Sequence, residues 1–408
     1  MFGARDGGHR RATVRVAVLG AALVAATALA ACQPPGADCN PAVYKPGANL
    51  SGTDQRGKDL SGCDLSLVNF TGADFTGADL GNADLEGATL VNATFTGADV
   101  HNAILRSTKV GGAHFDTATM HLVSSGLITG TPADLPADWE LVGGYLVGPY
   151  ANLARRNLDG LDLSGAHLRG AFLISAVLSR VDLTGADLTG ADLRLAEIGA
   201  NLQGADLTGA DLRGVTSGGV TGTPAALPPG WFVQAGRVLG PDADLTGADL
   251  RGEDLAGKQL TRANLSYVSF GGADLDGADL SHARLEDAWL TDASIHGADL
   301  SSASLLRVHS GGVTGSPSLP SAYVLRGGWL IGPEVSFSDS VPTGLDLTGT
   351  DVTSVEFSGT DLTGVPGPGN GTAANAQYSS TTTCADGNPA PYVEAAFAFT
   401  CAGIGIGW

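Results

Sequence analysis

Large side chains are scarce in this chain. Aromatic residues make up 6% of its 408 positions, charged residues 16%, and methionine occurs twice. That excludes a conventional core of bulky side chains, while an apolar fraction of 43% is too high for a disordered chain. Positive charge is also short. The 22 Lys and Arg stand against 42 Asp and Glu, so no nucleic-acid partner is expected. Beyond the N-terminal segment no apolar run is long enough to span a membrane. The short motifs of common chemistries are missing too: there is no Gly-x-Ser-x-Gly, His-Glu-x-x-His or Cys-x-x-Cys. Two Gly-x4-Gly-Lys matches, at 52–58 and 252–258, continue with Asp59 and Gln259 where a phosphate loop needs Ser or Thr. No catalytic, cofactor-binding or metal-ligating residue is therefore nominated. His101 and His121, twenty residues apart, read as a solvated face, with a metal-binding pair as the alternative.

What the chain has instead is glycine, 60 residues of it, and a period of five. From Leu50 onward a large apolar residue falls at nearly every fifth position, as in Leu60, Leu65, Phe70, Phe75, Leu80 and Leu85. Two residues before most of them stands a small residue (Cys63, Ala73, Ala78, Ala83), and Asp, Asn or Thr lies between. Neither the 3.6-residue helical period nor the two-residue strand period accounts for this alone.

The pattern A(D/N)LxG resembles that of the pentapeptide-repeat family, over roughly three quarters of the chain. The resemblance implies a right-handed quadrilateral parallel β-helix with one pentapeptide per side and about twenty residues per coil. On that plan Leu or Phe points inward, Ala fits beside it, and Phe75, Phe95 and Phe115 form a ladder down one wall. Each repeat is buried only by its neighbours. Ile198 to Leu202 spans four residues instead of five, which predicts a bulge or tightened corner near Gly199 and Ala200.

A longer period overlies the short one. Residues 128–149, 220–241 and 313–333 are three copies of one insert, so the array is built from modules of about ninety residues. Each copy ends in two short apolar runs around Gly143-Gly144, Ala235-Gly236 or Gly327-Gly328, the signature of a two-residue hairpin. Pairing would set Leu141 opposite Leu146, and Trp139, Trp231 and Tyr323 opposite Gly148, Gly240 and Gly332. An aromatic ring over a cross-strand glycine is a packing device. The same aromatics, Trp139, Tyr145, Trp231, Phe232, Tyr323 and Trp329, are also the candidate interaction surface, because repeat-specific insertions often form binding faces.

The N-terminus carries a basic stretch, an apolar stretch and the sequence LAAC ending at Cys32, which resembles the lipobox of bacterial lipoproteins. It implies cleavage before Cys32, acylation of that thiol, and a membrane-anchored protein on the outer face of the cell membrane or in the envelope. The Arg10-Arg11 pair leaves both general secretion and twin-arginine export open. Removing residues 1–31 leaves 18 basic against 41 acidic side chains, a net charge of about −23. The expected organisation is a signal peptide at 1–31, a tether or cap at 32–47, and the repeat array at 48–365. The array holds inserts at about 123–150, 216–242 and 309–334, and a linker with a disulfide-closed C-terminal element follows at 366–408. Cys384 and Cys401 are the candidate disulfide of that element, which resembles a small cap on some exported pentapeptide proteins. For Cys39 and Cys63, both a disulfide and a buried thiol at Cys63 stay open.

Function is expected to be non-enzymatic: an envelope scaffold or a surface that binds an unidentified protein or glycan. Two alternatives stand beside it. Some family members mimic duplex DNA and protect type II topoisomerases such as gyrase, and an acidic rod is compatible with that, but export disfavours it. A β-helix enzyme acting on polysaccharide would need a local carboxylate cluster, whereas Asp here is spread over every side.

Overall fold

The polar residue before each inward Leu closes the turn that follows it. Asp74 Oδ1 accepts hydrogen bonds from the Thr76 amide (2.9 Å) and hydroxyl (2.5 Å), and Asp59, Asp79, Asp162, Asp206 and Asp299 cap the amide two residues on in the same way. These Asx turns leave a left-handed position two residues after the inward one, where glycine recurs. Asn, Ser, Arg and even Leu67, Leu195 and Tyr267 take the same conformation there, with φ of 59° to 61° at those three.

The computed structural model describes residues 38–337, 345–363, 365–366, 376–377, 382, 392–393 and 398–399. Among them there is no helix. Turns alternate with single bridges, and each bridge residue pairs in parallel with one about twenty residues on: Asn49 with Asn69, Asp54 with Asp74, Asp59 with Asp79, Asp64 with Asp84. The chain is thus a parallel β-helix with four bridge columns per coil, rising about 4.8 Å per coil. Inward residues are almost wholly buried. The expected Phe ladder is present: Phe75, Phe95 and Phe115 stack with centroids 4.8 and 4.5 Å apart and planes within 6°.

Regular strands appear only where this pattern is interrupted. They are β1 (Glu140–Val142), β2 (Tyr145–Val147), β3 (Val177–Asp182), β4 (Glu197–Asn201), β5 (Thr216–Ser217), β6 (Phe232–Gln234), β7 (Arg237–Leu239), β8 (Val324–Arg326), β9 (Trp329–Ile331), β10 (Tyr392–Val393) and β11 (Ala398–Phe399). Strands β3, β4 and β5 pair in parallel around the predicted slip. Ser179 faces Gly199 and Asp182 faces Asn201, so three steps on one coil meet two on the next. A Cβ at Gly199 would come within 2.9 Å of the Gly218 carbonyl, so the shortened corner needs glycine.

The three inserts are antiparallel hairpins, β1–β2, β6–β7 and β8–β9, with Leu141 opposite Leu146 as expected. Their position was not foreseen. Each lies across the tube as a partition between stacked blocks. In β2, Leu146 packs into the core below and Val147 into the core above; Val238 and Leu239 divide likewise, as do Leu330 and Ile331. A strand buried on both faces must have its polar backbone satisfied from the rim. Three serines do part of this. Ser125, Ser217 and Ser310 occupy inward slots that otherwise hold Leu or Phe, and their Oγ atoms accept from the amides of Leu146 (2.9 Å), Val238 (2.9 Å) and Leu330 (3.0 Å). Each hairpin tip is pinned as well: the amides of Ile128, Val220 and Val313 donate to the carbonyls of Gly144, Gly236 and Gly328.

One bridge column runs past every partition: Ser124 to Asn152, Thr216 to Asp244, and His309 to Ser336. It is a different column each time. Sixteen pentapeptides plus one hairpin separate successive inserts, four full coils and one side more, so each hairpin enters one column further round than the last.

The N-terminal end is closed by a built cap. Cys39 and Cys63 form a disulfide with Cα atoms 5.6 Å apart, which answers the question the spacing left open. Tyr44 is buried over the first coils, and its hydroxyl donates to Gln55 Oε1 at 2.8 Å, with Lys58 Nζ on the same oxygen. Gln55 sits in the slot that Phe75 fills one coil later, and so ends the ladder with a satisfied polar group. At the other end the tail returns to the ladder, Gln377 bridging Glu356, and β10 pairs with β11.

Candidate interaction surface

The inserts bring the six singled-out aromatics to the partitions. Trp139, Trp231 and Tyr323 each lie flat over the predicted glycine: a Cβ at Gly148, Gly240 or Gly332 would fall inside the ring. Each is half-buried between two blocks, Trp139 and Trp231 touching the cores on both sides of their hairpin and Tyr323 likewise. Tyr323 also donates its hydroxyl to the Pro333 carbonyl at 2.9 Å. Trp329 is only 8% exposed, its ring 5.6 Å from Phe337. Tyr145 covers Gly126, and Phe232 lies under the Lys258 ammonium at 5.0 Å. The packing role of these rings is plain. The edges they leave in solvent belong to Tyr145, Phe232 and the three ring-over-glycine residues. Cys32, Cys384 and Cys401 lie outside the described residues.

A second group was not singled out from the sequence. Trp289 stands at an outward bridge position, where Asp or Asn is usual, and is 49% exposed. One face of its indole is covered by His309, one coil on, with centroids 3.9 Å apart and planes 7° from parallel. Burial pushes the His309 imidazole below its ordinary value of 6.5, which favours the neutral ring against the indole. Along the adjoining corner stands Tyr267, 60% exposed, and one coil on Arg307 holds the Asp287 carboxylate in a two-pronged ion pair at 2.7 Å and 2.8 Å. The signal was there to be read. "EDAWL" puts Trp in the slot that should face water.

The repeated carboxylates are engaged in their own turns. Hydroxyl and amide donors from the residue two positions on hold Asp59, Asp74, Asp206 and Asp361 below the usual carboxylate range. The Arg251 guanidinium brings Asp249 down to about 2. Glu140 behaves oppositely. It sits in the first partition with Oε1 buried and unpartnered, and burial, reinforced by Asp162, raises its pKa. The two histidines considered as a pair part company: His101 Nδ1 meets Asp99 at 3.0 Å, whereas His121 packs edge-on to Tyr150 at 5.2 Å. His296 Nδ1 lies 3.8 Å from Asp276 one coil back.

Comparison with known proteins gives the same architecture a name. The family described as pentapeptide repeats matches in eight copies over residues 47–82, 73–112, 157–194, 198–216, 243–281 and 270–305. A search of curated proteins finds no match. Among solved structures, the chain is similar to HetL, a pentapeptide repeat protein involved in heterocyst differentiation regulation from the cyanobacterium Nostoc sp. strain PCC 7120. The identity is 26%, over 66% of this chain and 87% of HetL, with a TM-score of 0.21. It is also similar to QnrB1, a plasmid-mediated fluoroquinolone resistance protein (16% identity, 66% and 91% covered, TM-score 0.16), and to Rfr23 from the cyanobacterium Cyanothece 51142 (20%, 43% and 88%, 0.14). With its matched repeats and its four-bridge, twenty-residue coil, the chain belongs to the pentapeptide-repeat family.

Proposed function

We propose that this protein is an exported, lipid-anchored, non-enzymatic scaffold of the bacterial envelope. Its coils would wind as a right-handed quadrilateral rod, held to the membrane through acylated Cys32 and contacting an envelope or extracellular protein or glycan. The observation that carries this reading is the Cys39–Cys63 disulfide, which closes the N-terminal cap just beyond the lipobox. Structural disulfides persist in oxidising compartments and are rare in the cytosol, so the bond favours export over a cytoplasmic topoisomerase partner. The Asx turns support it from another side, because the carboxylates have a structural use wherever they recur and need no catalytic or DNA-mimicking one. The partly exposed rims of Tyr145, Trp231, Phe232 and Tyr323 would be contact points.

Membrane fractionation with mass spectrometry of the N-terminal peptide tests this, run beside a Cys32→Ala variant. Acylated Cys32 in the membrane, and a variant that is released or keeps its leader, is the expected result. A cytoplasmic protein with residues 1–31 intact would overturn it and send the acidic rod to a gyrase supercoiling assay.

A further inference from the structure

The open face of Trp289 borders a notch. In its column of outward positions the order along the rod is Asp249, Ser269, Trp289, His309. His309 covers one face of the indole, and the other looks toward small Ser269. Beyond Ser269 the next outward side chain is Asp249, clamped by Arg251 through bonds of 2.8 and 2.7 Å. The Arg251 stem lies over Gly271, 3.5 Å from where a Cβ would stand, and so forms one side of the recess. Asp249 and Trp289 sit two coils apart, about 9.6 Å at 4.8 Å per coil. That gap admits one flat ring about as thick as an aromatic stack, and no more.

The notch has one apolar wall and one polar wall. The first is a flat indole; the second is a carboxylate and a guanidinium that cancel each other's charge. An aliphatic side chain would strand the ion pair, and an anionic ring would meet a surface of net charge −20. A pyranose ring suits both walls, since its C–H face is apolar and its rim carries hydroxyls that donate and accept. We propose that this notch binds one neutral pyranose unit of a polysaccharide, stacked on Trp289 with its hydroxyls on Asp249 and Arg251. Tyr267, 60% exposed, stands two residues before Ser269 on the same coil. The assignment deepens the binding-scaffold reading and rests on it, but uses a surface separate from the inserts.

The test is calorimetric titration of the full chain with neutral gluco-, manno- and galacto-oligosaccharides, with oligogalacturonate as the acidic comparison. Binding of at least one neutral series is expected, weakened at least tenfold by Trp289→Ala. Ser269→Trp should abolish it too, by filling the notch at an outward position of the kind that already holds Trp289. Tyr150→Ala, an exposed aromatic on another corner, should change affinity less than twofold. Circular dichroism and the melting temperature confirm that each variant is folded. The assignment is overturned if no neutral series binds, if only the acidic one does, or if binding survives both notch variants. A chain acylated at Cys32 that ignores every neutral glycan loses the notch alone. A soluble chain with its leader intact that still binds them loses the envelope reading alone.

Discussion

The coil wall and the partitions solve one problem in opposite ways. In the wall each pentapeptide is bonded along the rod to the coils on either side, one face is inside, and the other meets water. In a partition the hairpin bonds within itself, both faces are inside, and its links to the tube include a serine at the rim and a glycine carbonyl at the tip. The wall is specified by repetition, so a flaw in it is shared with many neighbours. A partition is specified by a handful of residues that break the repeat, and its integrity depends on each of them.

That contrast can be broken most forcefully in the wall. Phe95 is the middle ring of the stacked three and fully buried. Phe95→Ala should cost about 3–5 kcal/mol in chemical unfolding and open the first block as a unit. A loss below about 1 kcal/mol would mean that the coils collapse around the gap. A smaller and more local loss is expected from Ser217→Ala, which leaves the buried Val238 amide without its acceptor, about 1–3 kcal/mol. Hydrogen exchange should speed up at β6 and β7 while the first block keeps its protection; uniform acceleration along the rod would show that the partitions do not divide it.

The smallest effect is set by pH. Carboxylates whose folded pKa lies below the unfolded value add stability that is complete above the unfolded pKa and is lost as pH falls through the folded one. With the Asx-turn aspartates held below 3.8 and Asp249 at about 2, melting temperature should be level from neutral pH to about pH 4 and decline from there toward pH 2. Glu140 and Asp84, both raised by burial, oppose this trend, since their protonation relieves a penalty. A melting curve flat down to pH 2 would show that the aspartate caps contribute nothing.

Much of the wall could be read in advance. The period of five and the twenty-residue recurrence placed the Phe ladder and the slip at Gly199, and the register of a two-residue hairpin placed the ring-over-glycine pairs, because each follows from counting residues. The partitions were legible as hairpins but not as partitions. Short apolar runs around a two-residue turn do not tell which faces are covered, and only the stacked blocks show that β2 is buried on both. The three rim serines look like lapses in the apolar ladder until the hairpin amides are seen to need them. Trp289 lies outside the inserts, where aromatics cluster, and its stacking on His309 depends on ring orientation, which spacing does not convey.

The one-column advance between inserts governs valency. With four columns and three hairpins entering on successive ones, a flat partner lying along the rod finds the same insert edge once, and the next copy has turned away from it. Three equal contacts from a single side are ruled out by arithmetic alone. Neighbours in different directions would instead meet equivalent edges at different heights, so the repetition of the module distributes its contacts around the rod.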